Sequence, residues 1–514
     1  MSTEYVEDVP YVRHFVPDLS PARLRLVAAL NGVAPPPAVD FDYCELGCAH
    51  GDTLAGLAAA YPEARFLGVD LSAAHVASAR RLARDGALEN VGILERDFSA
   101  LLDEDIGEFD YVAAHGVLSW VSPEKRKALL DFAAAKLKPG GLLHVSYNAM
   151  PGWSSLEPLR QLLLFGGAGA PEDASLHRAR RGLAFAQSMQ RAGAEYFTKN
   201  PAASEMLETM TKAGLPYIVH EYLHDHWVPM YFARVAWEMA ESGLQFVGTL
   251  PVHSNFRETA ISEAHQRVLA TVTDRVTFES LKDFAIDEFF RRDVYVKGKL
   301  ARDSVITNEY LDTQVWGTIA NPQRSERTVR LPHREVTFEE PIFDGLLAAL
   351  REGGTTLPAL AERKELAGFR LEALRAALLR LIIAEHVVPL RAPTRSLAAN
   401  AEDLFRVPSV YNQTMLRRLT GEAPIIMAST VAGTAFPISA LEGLAMRLLT
   451  EVPSAGREQW VHDLVARSVL RIRIGDRVLE DPADQRRAIL ETLGQLHAQR
   501  LTKLVELDIL APSA

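Results

Sequence analysis

A chain of 514 residues is too long for one simple core at roughly 100 to 200 residues per domain, and implies two to four packed units. With 48% hydrophobic and 24% charged residues it has an ordinary globular balance, which excludes a disordered or collagen-like chain. Its 66 Asp and Glu against 55 Lys and Arg give a formal charge of −11, which disfavours a nucleic-acid-coating surface and suits a basic protein segment better.

The first residues, MSTEYVEDVP, are acidic and lack the basic and apolar regions of a signal peptide. No uncharged apolar run of about 18 or more residues could span a bilayer, so the expected location is the cytoplasm. Residues 1–40 read as an N-terminal cap. Tyr11 and Phe15 lie in PYVRHF, and Pro21 to Leu30 has a helical pattern; such a segment either closes over a ligand as a lid or packs on a sheet edge.

From Phe41 to Tyr147 short apolar runs alternate with helical patterns, as in parallel α/β units. The expected strands are Tyr43–Leu46, Phe66–Asp70, Val91–Leu94, Tyr111–Ala114 and Leu142–Tyr147, with helices at Thr53–Ala60 and Ala73–Asp85. These predict a Rossmann-like, doubly wound sheet with its ligand crevice at the strand carboxyl ends. The only two cysteines, Cys44 and Cys48, bracket the end of the first strand, which excludes a disulfide framework and suggests a reducing compartment.

Three helical patterns, Leu156–Phe165, Leu176–Arg191 and Glu205–Ala213, suggest a helical insertion over about 155–228. A helix at Tyr231–Glu241 and strands at Leu244–Leu250 and Val294–Lys297 would then complete the sheet, extending this unit over 41–300. Residues 301–340 read as a connector, with Val305 to Glu340 an irregular, β-containing stretch. Helices at Ile342–Arg351, Leu357–Arg363 and Arg370–Ala384, closed by the strand Val387–Leu390, make 341–392 winged-helix-like. After the linker RAPTRSLAAN, residues 400–514 read as a helical regulatory region with amphipathic helices at Pro437–Thr450, Arg457–Ser468 and Gln485–Leu504. The C-terminal half is therefore expected to be mainly helical.

The strongest local signal is the loop Glu45-Leu46-Gly47-Cys48-Ala49-His50-Gly51 after the first strand. Gly47 allows the backbone to turn towards a ligand, and Gly51 lets a helix start close to the strand. Ala49 replaces the middle glycine and is tolerable there if its φ stays negative. Nineteen positions after Gly51, Asp70 ends the second strand, where a carboxylate can accept both ribose hydroxyls. Leu71 follows it, and Asp97-Phe98 after the third strand offers an acceptor for an adenine amino group and a ring to cover the base. Pyrophosphate at the helix N-terminus would be repelled by Glu45, whereas the ammonium and sulfonium of S-adenosylmethionine (SAM) suit it. The competing reading makes Asp70 and Asp97 helix caps and Glu45 a surface ion-pair partner.

On ELGCAHGD (Glu45 to Asp52), FLGVDLS (Phe66 to Ser72), FDYVAAHGVLSWV (Phe109 to Val121), SYNAMPGW (Ser146 to Trp153) and HEYLHDHWVPMYF (His220 to Phe232), the chain resembles the bacterial class I SAM-dependent methyltransferases with a methyltransferase regulatory domain. That group includes the rickettsial protein-lysine methyltransferases, and the likeness covers nearly the whole chain. Ala49 stands where glycine is usual, and Leu118 where tyrosine is expected. The resemblance implies SAM as cofactor and a lysine-bearing protein as partner. A homodimer is left open.

A lysine acceptor must lose a proton, which an apolar, desolvating channel favours. His115 to Trp120 and Tyr147 to Trp153, after the fourth and fifth strands, are the expected lips. His115 would sit near the cofactor's methionine end. Tyr147 and Asn148 would orient the amine, and Trp120, Trp153 and Tyr11 would bind substrate, in part through cation–π attraction. For Trp120, Trp153 and Tyr147 the alternative is ordinary core packing.

His220-Glu221-Tyr222-Leu223-His224 matches the zinc-protease pattern H-E-x-x-H, but Pro216, Ile218, Val219 and Pro229 leave barely a turn or two of helix to carry it. No metal is expected, and Cys48 with His50 is too few ligands for a tetrahedral site. Two other functions stay open: methylation of a small molecule or RNA, because this fold serves many chemistries, and a SAM-responsive winged-helix DNA-binding regulator. The latter has little support, since Arg370, Arg375 and Arg380 alternate with Glu372 and Glu385 and form no concentrated basic face.

Overall fold

The short apolar runs become β1 (Asp42–Leu46), β2 (Arg65–Asp70), β3 (Val91–Glu95), β4 (Phe109–Ala114) and β5 (Leu137–Met150) in the computed structural model, which describes residues 8–9, 13–169, 174–320, 327–396, 399–400, 402–420, 424–467, 472–474 and 477–513. The helix α1 (Pro21–Leu30) precedes them, and α2 (Asp52–Ala60), α3 (Ala73–Asp85) and α4 (Pro123–Lys136) alternate with them. Residues of β1, β2 and β4 are buried almost throughout, which is why these strands read as continuous apolar runs rather than alternating ones.

After β5 the chain forms a helical insertion: α5 (Glu157–Gly167), α6 (Ser175–Arg191), α7 (Glu195–Lys199), α8 (Pro201–Ala213) and α9 (Leu215–Tyr222). Its own apolar cluster gathers Trp153, Leu159, Leu163, Tyr222 and Trp227. Next come β6 (Met230–Tyr231), α10 (Phe232–Glu241), β7 (Leu244–Thr249), α11 (Arg257–Ala260), α12 (Glu263–Val268), α13 (Arg275–Ile286) and β8 (Phe290–Lys297).

The strands form one sheet in the order β3-β2-β1-β4-β5-β8-β7, with β6 beside β5. β1 to β5 are parallel, whereas β8 runs antiparallel to both β5 and β7. The two late strands thus complete the sheet. β5 is far longer than the six residues read from the sequence: β8 pairs with it from Leu142 to Asn148, β6 pairs with Ala149 and Met150, and at its start Leu137 pairs with Phe109 of β4. The backbone therefore stays in a ladder where a loop was expected.

The second half opens with α14 (Ser304–Thr313), so the irregular reading from Val305 needs correcting. Asp303 caps this helix by accepting from Val305 N, and Tyr310 and Leu311 are buried. There follow β9 (Val315–Gly317), β10 (Thr328–Leu331), β11 (Arg334–Thr337), α15 (Pro341–Arg351), β12 (Thr355–Thr356), α16 (Leu357–Ala361), α17 (Leu371–Ile383) and β13 (Val388–Leu390). β9 lies between β12 and β13, giving α15 to α17 a small antiparallel sheet whose central strand comes from the connector.

The final region contains β14 (Phe405–Arg406), α18 (Val410–Arg417), β15 (Ile425–Ser429), β16 (Thr434–Ile438), α19 (Ala440–Glu451), α20 (Arg457–Arg467), β17 (Ile472–Ile474), β18 (Arg477–Leu479), α21 (Pro482–Gln499), α22 (Leu501–Glu506) and β19 (Ala511–Pro512). Its β-pairs were absent from the helical reading. The helix expected from Pro437 starts instead at Ala440: Pro437 sits in β16, and Ser439 with Glu442 forms a capping box at the helix start.

One apolar cluster runs from α1 and α2 through α15 and α17 to β15 and α22. Every residue of α2 except Ala59 is buried. A methyl group added at Gly56 would come within 3.1 Å of the Ala435 Cβ and 3.3 Å of the Ile426 Cγ2, so the β15–β16 hairpin lies directly on α2. The Ser20 hydroxyl donates to Gly433 O (2.7 Å) and that of Thr414 to Asp85 O (2.7 Å), fastening the same two halves. No helix among the described residues is long and apolar enough to cross a membrane.

Candidate active site

β1 ends in the glycine loop. Gly47 N and Cys48 N both donate to Val69 O, at 2.8 and 3.0 Å, so the turn is pinned to β2. Gly47 has φ +76°, and a Cβ there would meet Val117 Cγ2 at 2.9 Å; the position is closed to larger residues on both counts. Ala49 also has positive φ, +44°, so the condition under which an alanine is readily tolerated there is not met. For an L-residue this conformation costs roughly 1–2 kcal/mol. The Ala49 N–H donates to Asp70 Oδ2 at 2.8 Å, and this bond holds the strained turn.

Asp70 also accepts from Ser72 N (2.9 Å) and lies 3.3 Å from His75 Nδ1. Asp97 accepts from Ser99 N (2.9 Å) and Ser99 Oγ (2.5 Å) and pairs with Lys125. Burial alone would raise the Asp97 pKa, but the Lys125 and Ser99 bonds outweigh it and hold the carboxyl below its usual value. Asp97 caps the short helical turn that follows it, as in the competing reading, whereas Ser72 and not Asp70 caps α3; both acids face one cleft. Glu45 differs. It is no surface residue but buried, with no hydrogen-bond partner for Oε2. Burial first, then the charges of Asp70 and Asp52, push its pKa up to about 8. An unpartnered buried carboxylate is costly, and a cationic ligand would relieve that cost.

The cleft is lined by Glu45, Gly47, Ala49, Asp70, Leu71, Asp97, Phe98, His115 and Trp120, which were singled out from sequence as cofactor or substrate residues. Gly51 does not line it; with φ +74° it starts α2 where a Cβ would lie 2.8 Å from the Ala79 Cβ, allowing α2 to approach α3. Tyr11 lies outside the described residues. His115 Nδ1 is 3.0 Å from Ser146 Oγ, which accepts from Gly116 N at 2.8 Å. Burial, followed by the neighbouring His144, holds the His115 pKa well below its ordinary value, so the cleft meets a neutral imidazole. Leu118 is buried in the core beneath this lip.

The second expected lip needs correcting. Tyr147 is fully buried, and its hydroxyl donates to Asp293 Oδ2 at 2.8 Å. Burial and the Asp293 charge hold the phenol far above its usual pKa. Asp293 belongs to a buried ionic cluster in which Arg291 meets Asp293 (2.9 Å), Asp283 (2.5 Å) and Glu279 (3.1 Å). Asn148 is 4% exposed, and its backbone N–H donates to Ser119 Oγ (2.9 Å). Trp153 packs in the insertion core against Phe289, at 4.6 Å between ring centroids, and Trp227, at 4.8 Å. None of the three lines the cleft. For Tyr147 and Asn148 the physical reason is that β8 pairs with this end of β5 and buries it; Trp153 lies beyond the strand, in the insertion core.

Two other parts of the cleft wall were not assigned to it residue by residue from sequence; the first lies in the N-terminal cap, read there as a lid or a sheet-edge helix. His14, Val16 and Leu19 come from the N-terminal segment, held down by Arg13 donating to Asp52 (2.8 Å) and Val16 N donating to Thr53 Oγ1 (3.0 Å). His220, Glu221, His224 and His226 come from the end of the insertion. Their signal was the H-E-x-x-H run, set aside there as a zinc site for want of a helix long enough to carry it. α9 ends at Tyr222, so His224 lies beyond the helix that carries His220, and His220 Nε2 bonds to Val9 O at 2.9 Å. No group of three or more metal-ligating side chains occurs among the described residues.

Comparison with known proteins bears on the fold and the family. A methyltransferase domain model matches residues 44–143, and a predicted methyltransferase regulatory domain matches 215–297. The uncharacterized protein sll1526 of Synechocystis sp. is 30% identical over 514 residues, covering 98% of this chain and 99% of that one. The uncharacterized protein RP789 of Rickettsia prowazekii is 27% identical over 310 residues, 59% of this chain and 54% of its own length. Among solved structures, PKMT2 from Rickettsia typhi in complex with AdoHcy shares the fold, with a TM-score of 0.73 at 20% identity over 98% of this chain and 100% of that one.

Proposed function

Since the chain belongs to the class I SAM-dependent methyltransferases that carry a methyltransferase regulatory domain, we propose that it methylates lysine side chains of a protein substrate. The residues of the glycine loop fit SAM: the unpartnered Glu45 carboxyl oxygen suits a cationic methionine moiety, and Gly47, with its positive φ, turns the backbone along the cleft wall. Asp70, Leu71, Asp97 and Phe98 line the same cleft and would hold the nucleoside. When bound, SAM supplies an electrophilic methyl group on a sulfonium that is already a good leaving group.

The protein's task is then to bring an uncharged amine into line and keep it there. The observation that carries the lysine reading is the acidity of the cleft: Asp52, Asp70, Asp97 and Glu221 face it beside Glu45, which ionises only as the pH approaches 8; Arg96 and Lys125 also face it, with Lys125 paired with Asp97 and Asp52 paired with Arg13. Such a wall attracts a cationic side chain, while the neutral His115 and the ring of Trp120 supply a less polar stretch that favours loss of the amine proton. The family resemblance to protein-lysine methyltransferases points the same way, as does the acidic surface balance.

Incubation of the enzyme with methyl-labelled SAM and extracted cell protein tests the reading. After acid hydrolysis the label should elute with methylated lysines. Label confined to RNA or to the small-molecule fraction would overturn the lysine assignment.

A further inference from the structure

We propose that Ser146 is a positioning residue that fixes the proton of His115 on Nε2, and that this N–H holds the carboxylate at the methionine end of SAM. The inference rests on SAM as the cofactor and stands whichever acceptor receives the methyl group.

The protons around Ser146 can be followed one by one. Its side chain is fully buried and makes two hydrogen bonds, one with Gly116 N (2.8 Å) and one with His115 Nδ1 (3.0 Å). A backbone N–H only donates, so the serine oxygen accepts from Gly116. The hydroxyl hydrogen then has one acceptor among the described residues, His115 Nδ1. Turned elsewhere it would be a buried donor without a partner, which is costly. Nδ1 therefore accepts, and a neutral imidazole that accepts at Nδ1 carries its proton on Nε2.

The surroundings hold the ring in this pose. His144 stacks on it with centroids 5.9 Å apart and planes at 13°, and Phe290 meets it edge-on, also at 5.9 Å. Burial lowers the His144 pKa to about 4, so that neighbour adds no positive charge near pH 7. Ser146 and Phe290 are set by one ladder, in which β8 pairs Arg292 with Ser146 and Phe290 with Asn148. Nδ1 thus faces the sheet. Nε2 makes no hydrogen bond to a described residue and is the nitrogen left to the cleft that His115 lines.

An N–H donor cannot receive a proton from an incoming ammonium, so His115 is not the base of the reaction. It suits an anion, and the anionic group of SAM is its carboxylate. β1 pairs Glu45 with Ala113 of β4, which puts His115 two residues beyond the partner of Glu45 on the neighbouring strand end. The ammonium and carboxylate of the methionine share one carbon, so Glu45 and His115 take the two charges of a single head group. Of the cleft's long cationic side chains, Arg96 pairs with Glu104 and Lys125 with Asp97, both near the end of β3. An anion beside Glu45 needs a donor of its own.

The test measures calorimetric affinities of the full chain for SAM and for decarboxylated SAM, which keeps the ammonium and the sulfonium, with folding checked by thermal melting. The ratio of the two affinities should fall by about tenfold or more in His115→Leu and by about twofold to tenfold in Ser146→Ala. His115→Gln, whose amide can donate from the place of Nε2, should keep part of the ratio. An unchanged ratio in His115→Leu overturns the carboxylate contact; if that variant melts early, His115→Asn, which moves the donor to the place of Nδ1, replaces it. Nitrogen NMR of ligand-free enzyme carrying isotope-labelled histidine reads the tautomer directly, the His115 signal being the one lost in the His115 variants. The proton should sit on Nε2 in the wild type and divide between the two nitrogens in Ser146→Ala. A wild-type proton on Nδ1 overturns the role of Ser146. A wild type that binds neither compound overturns the cofactor placement as well.

Discussion

The two strand ends marked as lips by their sequences, His115–Trp120 after β4 and Tyr147–Trp153 at the end of β5, meet opposite fates. The first leaves the sheet and opens into the cleft, with His115 and Trp120 on its wall. The second stays in the sheet as far as Met150, paired first with β8 and then with β6, and its polar groups are consumed by the interior: Tyr147 by Asp293, Asn148 N by Ser119. A motif rich in Tyr, Asn and Trp is therefore no guide to a site until the partner of its strand is known. In this molecule the partner arrives 140 residues later in sequence, beyond the whole insertion.

Substitutions on each side can break or sharpen this contrast. The largest effect is expected on the interior side. Arg291→Met removes the cation shared by Glu279, Asp283 and Asp293 and should cost about 3–5 kcal/mol of unfolding free energy in denaturant titration, because it leaves buried carboxylates unpaired. A loss under about 1 kcal/mol would mean that the β5 end is not tied down as described. On the cleft side, Glu45→Gln should weaken SAM binding by about tenfold to a hundredfold in calorimetry, the effect of losing a charged hydrogen bond.

Glu45 also gives a pH signature. Its folded pKa of about 8 lies above the ordinary 4.5. The stability that this shift lends the ligand-free protein is fully present below about 4.5 and is lost as the pH rises through about 8. The melting temperature of the wild type should fall over that range relative to that of Glu45→Gln. SAM affinity should rise over the same range as the carboxyl ionises; curves for the two proteins that run parallel would remove Glu45 from the cofactor site.

Tyr147→Phe comes next. It should cost about 1–2 kcal/mol by unbonding the buried Asp293, while kcat/KM per folded molecule stays within about twofold. A drop in kcat at unchanged stability would restore Tyr147 to the chemistry. The smallest effect belongs to Ala49→Gly, which removes the penalty of a positive φ at alanine and should stabilise the protein by up to about 1 kcal/mol. A melting temperature at or below that of the wild type would show that the loop strain is not as described.

Much of the cofactor end was legible because its determinants are local. A strand, a turn with positive-φ positions at Gly47 and Gly51, and acids at successive strand ends each leave a mark within a few residues. The sign of φ at Ala49 left no such mark, since it depends on the bond to Asp70 from the next strand. The rest of the cleft wall is assembled from distant pieces. His14, Trp120 and Glu221 share one cleft, but no spacing rule connects them, and the H-E-x-x-H run that marks the last piece imitates a different chemistry. The same holds for β5 and for α14, whose buried Tyr310 and Leu311 find their neighbours only in the folded chain.

The placement of the β15–β16 hairpin on α2 bears on how the polypeptide can be cut. The linker near residue 400 looks like a natural place to sever an autonomous catalytic half, yet that cut would strip Ile426 and Ala435 from Gly56 and bare a helix made almost wholly of small apolar residues. The helix whose first turn lines the cleft would then have water on the side where it now has a neighbour. Fragments ending before residue 400 are thus poor candidates for soluble expression. The far end of the gene encodes part of the interior of the near end, and the two are best regarded as a single unit of inheritance.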